Sequence, residues 1–368
     1  MANVQIETLT PIHVGSGVKL QPNIEFLVFG NEIAVIDDEK VLSIIGEENI
    51  AQWIGIIQKK ESLLPYLQKR KPNLKAEDIA LRIIHNKEKH KVGNEIHSQI
   101  HNGFGLPYLP GSSIKGAIRT AVFANIARKA ENKATVKAEI GKNDKFLQKK
   151  LIGNDPNTDP FRFLQPGDAH FEKTEFLELK IANVTNYGWE FKIRGKATSQ
   201  FVECIPAKAV SEIRLKFQDD VLRNVSFGVA EAMKDKLKAT SVLSKNLLNQ
   251  KQLFKDINAH TLKVLDLEID ELETVFDDND ILYDYQENMA WIRRQIKDLQ
   301  GSETECILRL GFGTGYHSIT GGWKKEVTGQ EELLGHGHSF AGIYPKTRRF
   351  TASGDPLGFL KLKVGTGK

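Results

Sequence analysis

The run Pro110-Gly111-Ser112-Ser113-Ile114-Lys115-Gly116-Ala117-Ile118-Arg119 joins two hydroxyls to two cations one helical turn apart. Its apolar spacing, with Ile114, Ala117, Ile118, Ala121 and Val122, predicts a helix opened by a serine cap. A helix start leaves backbone N–H groups unpaired, so with Lys115 and Arg119 on one face it forms an anion site suited to a phosphate. Plain solvation of both cations on a capped core helix is the alternative. A second candidate is Leu310-Gly311-Phe312-Gly313-Thr314-Gly315, whose glycines let backbone amides approach a ligand and form an anion-binding nest, or else make a structural turn. The third is Thr10-Pro11-Ile12-His13-Val14-Gly15-Ser16-Gly17-Val18-Lys19, in which His13 serves acid–base chemistry or packs as a core histidine. The fourth, Tyr344-Pro345-Lys346-Thr347-Arg348-Arg349-Phe350, interleaves cations with aromatics, as single-stranded nucleic acid requires; an ordinary basic loop reads the same way.

Several chemistries are excluded. The chain lacks a G-x-x-x-x-G-K-[ST] loop, and the late glycine run lacks the third glycine, the following helix and the remaining chain of a dinucleotide site. His97 and His101 lie four apart on a predicted helix, with His85 and His90 upstream and His336 and His338 far downstream. Ser98 stands where a His-Glu-x-x-His motif needs its base, so no metal is expected. Cys204 and Cys306 are too isolated for a zinc knuckle or a disulfide framework. No catalytic triad or carboxylate dyad stands out, and no cofactor is expected.

The elements that position these candidates follow from patterning. With 368 residues, 40% hydrophobic and 27% charged, the chain has the composition of a globular protein with room for a sizeable core. A net charge of +4 permits a polyanionic partner, and its distribution matters more: cations crowd Lys59–Lys91 and Lys115–Lys150, whereas Asp266–Glu287 is acidic. The start, MANVQIETLTP, is unlike a signal peptide and no apolar run is long enough to span a bilayer, so a cytoplasmic protein without membrane contact is expected. Val4 and Ile6 alternate in a strand that ends in the Gly15–Gly17 loop, and Glu25–Phe29 and Glu32–Ile36 form a hairpin across Gly30-Asn31. A helix is expected over 38–58 and strands over 171–217. Between Val229 and Gln300 there is neither Gly nor Pro, and Leu265, Ile269, Leu272 and Phe276 mark one helical face. Of 30 glycines, 14 fall between Gly301 and Gly367, between an expected strand at Ile307–Leu310 and a closing one at Phe359–Val364, which marks the terminal part as loop-rich.

Taken in order, Leu9-Thr10-Pro11-Ile12-His13-Val14-Gly15-Ser16-Gly17, then Leu106 to Arg119, then Gly313-Thr314-Gly315 with Gly321-Gly322 resemble the RAMP superfamily of CRISPR-associated RNA-binding proteins. Asp159-Pro160-Phe161-Arg162-Phe163-Leu164 with Asp168, and Pro345-Lys346-Thr347-Arg348-Arg349 followed by Pro356-Leu357-Gly358-Phe359, are similar to the end-capping RAMP subunit of type III-A (Csm) effector complexes. The stretch 229–300 carries no matching motif.

The resemblance implies an α+β fold with an RRM-like, ferredoxin-type core built from 1–224 and 301–368, a mostly helical insertion at about 38–105, and a helical insertion or subdomain at 225–300. It implies a structural subunit that caps the filament on the 3′ portion of a single-stranded CRISPR RNA, contacts other RAMP subunits, and supports 3′-end maturation by host nucleases in antiviral defence. RNA contacts then fall on His13, Gly15, Ser16, Gly17, Lys19, Ser112, Ser113, Lys115, Arg119, Gly313, Thr314, Gly315, Lys346, Arg348 and Arg349. The related slicing subunit carries an aspartate in the loop after its first strand. Here Val18–Ile24 holds no acid, which implies no slicing activity. A RAMP branch that cuts CRISPR repeats with histidine leaves one other reading, a metal-independent endoribonuclease using His13 or His317.

Overall fold

In the computed structural model, residues 2–139, 144–152, 159–185, 188–190, 192–193, 196–197, 199–217, 247, 249–273, 280–318 and 347–365 are described. Period-2 burial builds the first sheet. β1 (Ala2–Thr8) buries Val4 and Ile6 and exposes Asn3 and Gln5. It is flanked by β15 (Val210–Phe217) and β18 (Phe359–Val364), with β8 (Leu164–Pro166) outside β15 and β16 (Glu305–Arg309) outside β18, every pair antiparallel. Helix α4 (Gly111–Arg128) connects β1 to β8, and α7 (Gln250–Glu273) follows β15. Taken as β1, β8, β15 and β18, the strands and the two helices reproduce a β-α-β-β-α-β unit of ferredoxin type, with β16 added at the edge. Val4, Ile6, Ile213, Leu215, Leu360 and Leu362 of the sheet meet Ile114, Ile118 and Val122 of α4 and Leu253, Phe254 and Ile257 of α7 in one core. Each such side chain contributes about 1.5–3 kcal/mol on burial.

Segments that leave and rejoin this unit make a nine-stranded second sheet. Its main path runs β2 (Gly15–Leu20), β6 (Ile96–Gln99), β14 (Ser199–Cys204), β10 (Thr174–Thr185), β5 (Ala80–His85), β4 (Glu32–Ile36) and β3 (Phe26–Phe29). β11 (Gly188–Glu190) and β17 (Thr347–Thr351) also pair with β10. Among the described residues two short pairs complete the strands, β7 (Tyr108–Leu109) with β9 (Ala169–His170) and β12 (Lys192–Ile193) with β13 (Lys196–Ala197). The hairpin across Gly30-Asn31 is as expected. The helix expected over 38–58 is two helices, α1 (Asp38–Ile45) and α2 (Ile50–Gln58), because the first ends at Gly46, whose N–H bonds the Leu42 carbonyl at 2.8 Å. Together with α3 (Leu64–Arg70) they cover Leu27, Ala34 and Ala80 of the sheet through Val41, Trp53, Leu63 and Leu67. α5 (Lys133–Glu139) and α6 (Asp144–Leu151) sit beside α4. Among the described residues no helix is long and apolar enough to cross a membrane.

α7 and α8 (Asp280–Asp298) pack through Leu265, Ile269, Leu272, Leu282, Met289 and Ile292, as the helical face in the sequence predicts, with Phe276 outside the described residues. Within that core lies an acid from the acidic run. Glu268 is 2% exposed and accepts from Arg309 Nη1 at 2.8 Å and the Tyr285 hydroxyl at 2.6 Å, with Arg348 Nε 3.2 Å away. Burial alone would raise its pKa, but Arg309 and Arg348 outweigh that and hold it at about 2. This one carboxylate joins α7, α8, β16 and β17. Replacing it, Glu268→Gln, takes the balancing charge from two buried guanidiniums and is expected to cost about 3–5 kcal/mol, read as a lower urea midpoint; an unchanged midpoint would remove Glu268 as the joint.

Candidate nucleic-acid interface

Three chain segments meet where the two sheets adjoin. The backbone after β1 bonds to the start of β18, with Leu9 N and Thr10 N donating to Phe359 O at 2.9 and 3.2 Å, and exchanges a pair of bonds between Ile12 and Ile205 at 3.0 and 2.8 Å. The late glycine run docks on the same stretch, Phe312 N donating to His13 O at 2.8 Å. Gly311 has φ +94°, and a Cβ there would stand 2.7 Å from His13 O, so only glycine permits the approach. Two of the predicted loops are thereby sewn into one junction.

His13 is 3% exposed, and its Nδ1 donates to the Glu203 carbonyl at 2.7 Å. Burial lowers its pKa, only partly offset by that hydrogen bond, and the ring packs edge-on to Phe312. It is the packed histidine of the two sequence readings. Beyond it, the expected glycine loop is instead a strand: Gly15, Ser16, Gly17 and Lys19 lie on β2, at the free edge of the second sheet, with an irregular register against β6 between Gly15 and Lys19. All four are exposed, and Lys19 pairs with Glu95.

The serine cap expected on α4 is replaced. The helix begins at Gly111, whose N–H donates to Asp168 Oδ1 at 2.7 Å, and a Cβ at Gly111 would lie 2.1 Å from Pro166 O. A carboxylate of the chain itself therefore occupies the place where the sequence reading put a phosphate. Arg119 is likewise engaged, paired with Asp159 and lying 4.9 Å over the Phe161 ring. What remains open on this face is Ser112, exposed, with Ser113 and Lys115 half-buried. Desolvation lowers the Lys115 pKa, against the charge of Asp159.

The basic stretch divides by strand alternation. Arg348 points into the core toward Glu268 and is 4% exposed, so the structure corrects its placement among surface contacts. Arg349, on the opposite face of β17, donates from Nε to Gln200 Oε1 at 2.9 Å and stands 5.2 Å over the Phe312 ring. Lys346 lies outside the described residues, as do His336 and His338. Thr314 is buried with its hydroxyl 3.2 Å from Gly311 O, whereas Gly313 and Gly315 stay half-buried at the surface of the junction. His97 and His101 also differ from expectation, because the segment is strand rather than helix. His97 stacks on Phe312 with centroids 6.2 Å apart, while His101 reaches the Glu203 carboxylate at 3.3 Å. Among the described residues no group of three His, Cys, Asp or Glu side chains is placed to hold a metal ion.

His97, stacked on Phe312, and Gln200, bonded by Arg349, thus line an open groove of about 610 Å³ together with Lys19, Gln21, Glu95, Ser199 and Phe201. An aromatic platform, amides and a lysine in one groove can stack a base and hold a phosphate. Sequence reasoning missed Phe312, Gln200 and Glu203. Phe312 stands inside the flagged glycine run, but neither Gln200 nor Glu203 has a local signal.

The geometry is that of a ferredoxin-type protein with a polar groove beside its glycine-loop junction. The model of the RAMP superfamily matches residues 5–316, and the chain belongs to that superfamily. Among curated relatives, a protein named CRISPR system Cms protein Csm5 from Methanocaldococcus jannaschii is 24% identical over 336 residues, covering 86% of this chain and 72% of that one. One of the same name from Streptococcus thermophilus is 29% identical over 142 residues, 35% of this chain and 39% of that one. In fold, the chain is similar to one chain of the cryo-EM structure of a Csm-crRNA-target RNA ternary complex in a type III-A CRISPR-Cas system, with TM-score 0.69 and 18% identity over 99% of this chain and 100% of that one. The crystal structure of T. onnurineus Csm5 gives TM-score 0.65 and 18% identity over 97% and 99%.

The junction rests on Glu203, fully buried, whose carboxylate takes Arg82 Nε and Nη2 at 3.0 and 2.9 Å, the Thr174 hydroxyl at 2.9 Å and Gln99 N at 3.2 Å. Burial would raise its pKa, but the hydrogen bonds from His101 and Arg82 bring it to about 2, below the ordinary 4.5. A depressed carboxylate stabilises the fold above its unfolded pKa and loses that contribution as pH falls toward the folded value. At about 1.4 kcal/mol per unit the contribution is about 3 kcal/mol. Urea midpoints measured between pH 5 and pH 2 are expected to fall more steeply for the native protein than for Glu203→Gln, which starts lower at pH 7; parallel curves would contradict the assignment.

Proposed function

We propose that the chain is a CRISPR RNA-binding structural subunit of a type III-A (Csm) interference complex in the cytoplasm, capping the row of RAMP subunits on the 3′ portion of the guide. There it supports 3′-end trimming by nucleases from elsewhere. The observation that carries this reading is the fold match over 99% of the chain to a subunit of a Csm-crRNA-target RNA complex, joined to two relatives that carry the name Csm5. The surface members of the interface support it: the exposed Gly15–Lys19 edge, exposed Ser112 with half-buried Lys115, and the His97 ring in the groove offer cations, hydroxyls and one stacking ring to a single strand.

The subunit is a binder and not a slicer on this reading, since Val18–Ile24 holds no acid. The burial of His13 and His317 speaks against a histidine endoribonuclease. We divide the chain as a composite core of 1–224 and 301–368, carrying a mostly helical insertion at about 38–105, and a helical segment at 225–300 from which α7 supplies the second helix of the ferredoxin-type unit.

Phosphate-driven binding weakens with salt by about 0.7 log units of affinity per log unit of salt for each single-strand phosphate neutralised. For a short single-stranded RNA, Lys19→Ala with Lys115→Ala is expected to lower affinity and flatten the log–log salt dependence by about 1.4, two such contacts. An unchanged slope would displace the interface from these two lysines.

A further inference from the structure

Among the large apolar side chains of the described residues, Phe104 is the most exposed, at 93%, against 66% for Leu81 and 63% for Tyr283. A scattered exposed hydrophobe needs no explanation, but this one is held out by a braced loop. Between β6 and β7, Asn102 Oδ1 accepts from Phe104 N at 2.9 Å and Leu106 N at 3.0 Å, while Asn102 N donates to Leu106 O at 2.9 Å and Gly105 N to Asn102 O at 3.0 Å. The stem is anchored in turn. Ile100 N donates to Val14 O at 2.9 Å, Phe171 N to Pro107 O at 2.9 Å, and His101 reaches the buried Glu203 carboxylate at 3.3 Å. Leu106, 42% exposed, stands beside the tip. The ordering that association normally requires of a loop is already in place, which is the condition under which a single aromatic can anchor a contact.

The chemistry around the tip selects its occupant. From Val92 to Ile114 the sequence contains neither Lys nor Arg, so a polyanion would find no counter-charge on this loop, whereas the apolar socket of a protein would meet a neutral one. We propose that Phe104, with Leu106 beside it, is an anchor that inserts into an apolar socket on a neighbouring protein subunit of the effector assembly, an inference that rests on the functional reading above.

The test co-expresses the full chain with the other subunits of its own complex and a guide RNA, and counts this chain per complex by native mass spectrometry. Phe104→Asp is expected to reduce its incorporation about tenfold or more, while Phe104→Leu retains most of it. The isolated Phe104→Asp chain should keep the native melting temperature and affinity for single-stranded RNA. Equal incorporation of Phe104→Asp would overturn the anchor. So would a loss of RNA affinity in the isolated variant with incorporation intact, which would make the tip a nucleic-acid contact, or a native dimer that only the variant dissociates, which would make the occupant a second copy. If the unaltered chain fails to enter the complex, the functional reading itself falls and takes this proposal with it; if the unaltered chain enters and the variant enters equally, only the anchor falls.

Discussion

The second sheet depends on a buried carboxylate more than on its own strand pairing. Its two parallel contacts, β10 with β5 and β14 with β6, are each only two residue pairs long, Thr174–Ile84 and Glu175–His85 in one and Phe201–Ile96 and Val202–His97 in the other. Ladders this short do not fix register by backbone hydrogen bonds alone. Glu203 supplies what they lack, because its two oxygens take groups from β5 (Arg82), β6 (Ser98 and the Gln99 amide) and β10 (Thr174) while it sits on β14. Its carbonyl then holds His13, so the position of the segment after β1, and through His13 O the position of the late glycine run, are set from the same residue.

Glu268 plays the corresponding part on the other side, among α7, α8, β16 and β17. The two acids have the same physical character: each is enclosed, each is compensated by arginine, and each lies where elements distant in sequence must be brought to one geometry. β17 connects the two regions. Its alternation sends Arg348 inward to Glu268 and Arg349 outward to Phe312, so one strand fastens the helical core and reaches the loop junction.

Much of this was legible from residue patterns. The alternation of Val4 and Ile6, the hairpin at Gly30-Asn31, the α4 face and the heptad-like spacing of α7 each reflect local periodicity, and local periodicity survives folding. What was not legible concerns partners far along the chain. Asp168 and Asp159 lie 57 and 40 residues from the α4 groups they satisfy, so local pattern alone points to the serines as the cap and to Arg119 as an anion ligand. Both acids belong to the short segment that resembles the RAMP family, yet nothing in that segment says that it folds back on α4. The strand at 347–351 offers a different lesson: its period separates Arg348 from Arg349, but which parity faces inward is decided by the location of Glu268.

The placement of β1 carries a consequence for how the protein comes into being on the ribosome. β1 is made first and sits in the middle of its sheet, paired on one side with residues 210–215 and on the other with residues 360–364. Its apolar face therefore waits, unpaired on one edge, until more than three hundred further residues have been synthesised. The backbone bonds from Leu9 and Thr10 to Phe359, which set the loop junction, form only at that point. A nascent or prematurely terminated chain presents no finished junction, so the meeting of the three segments exists only in chains whose translation has passed β18. The topology thereby ties completion of the first sheet to the last strand synthesised, a pairing of high sequence separation that forms late.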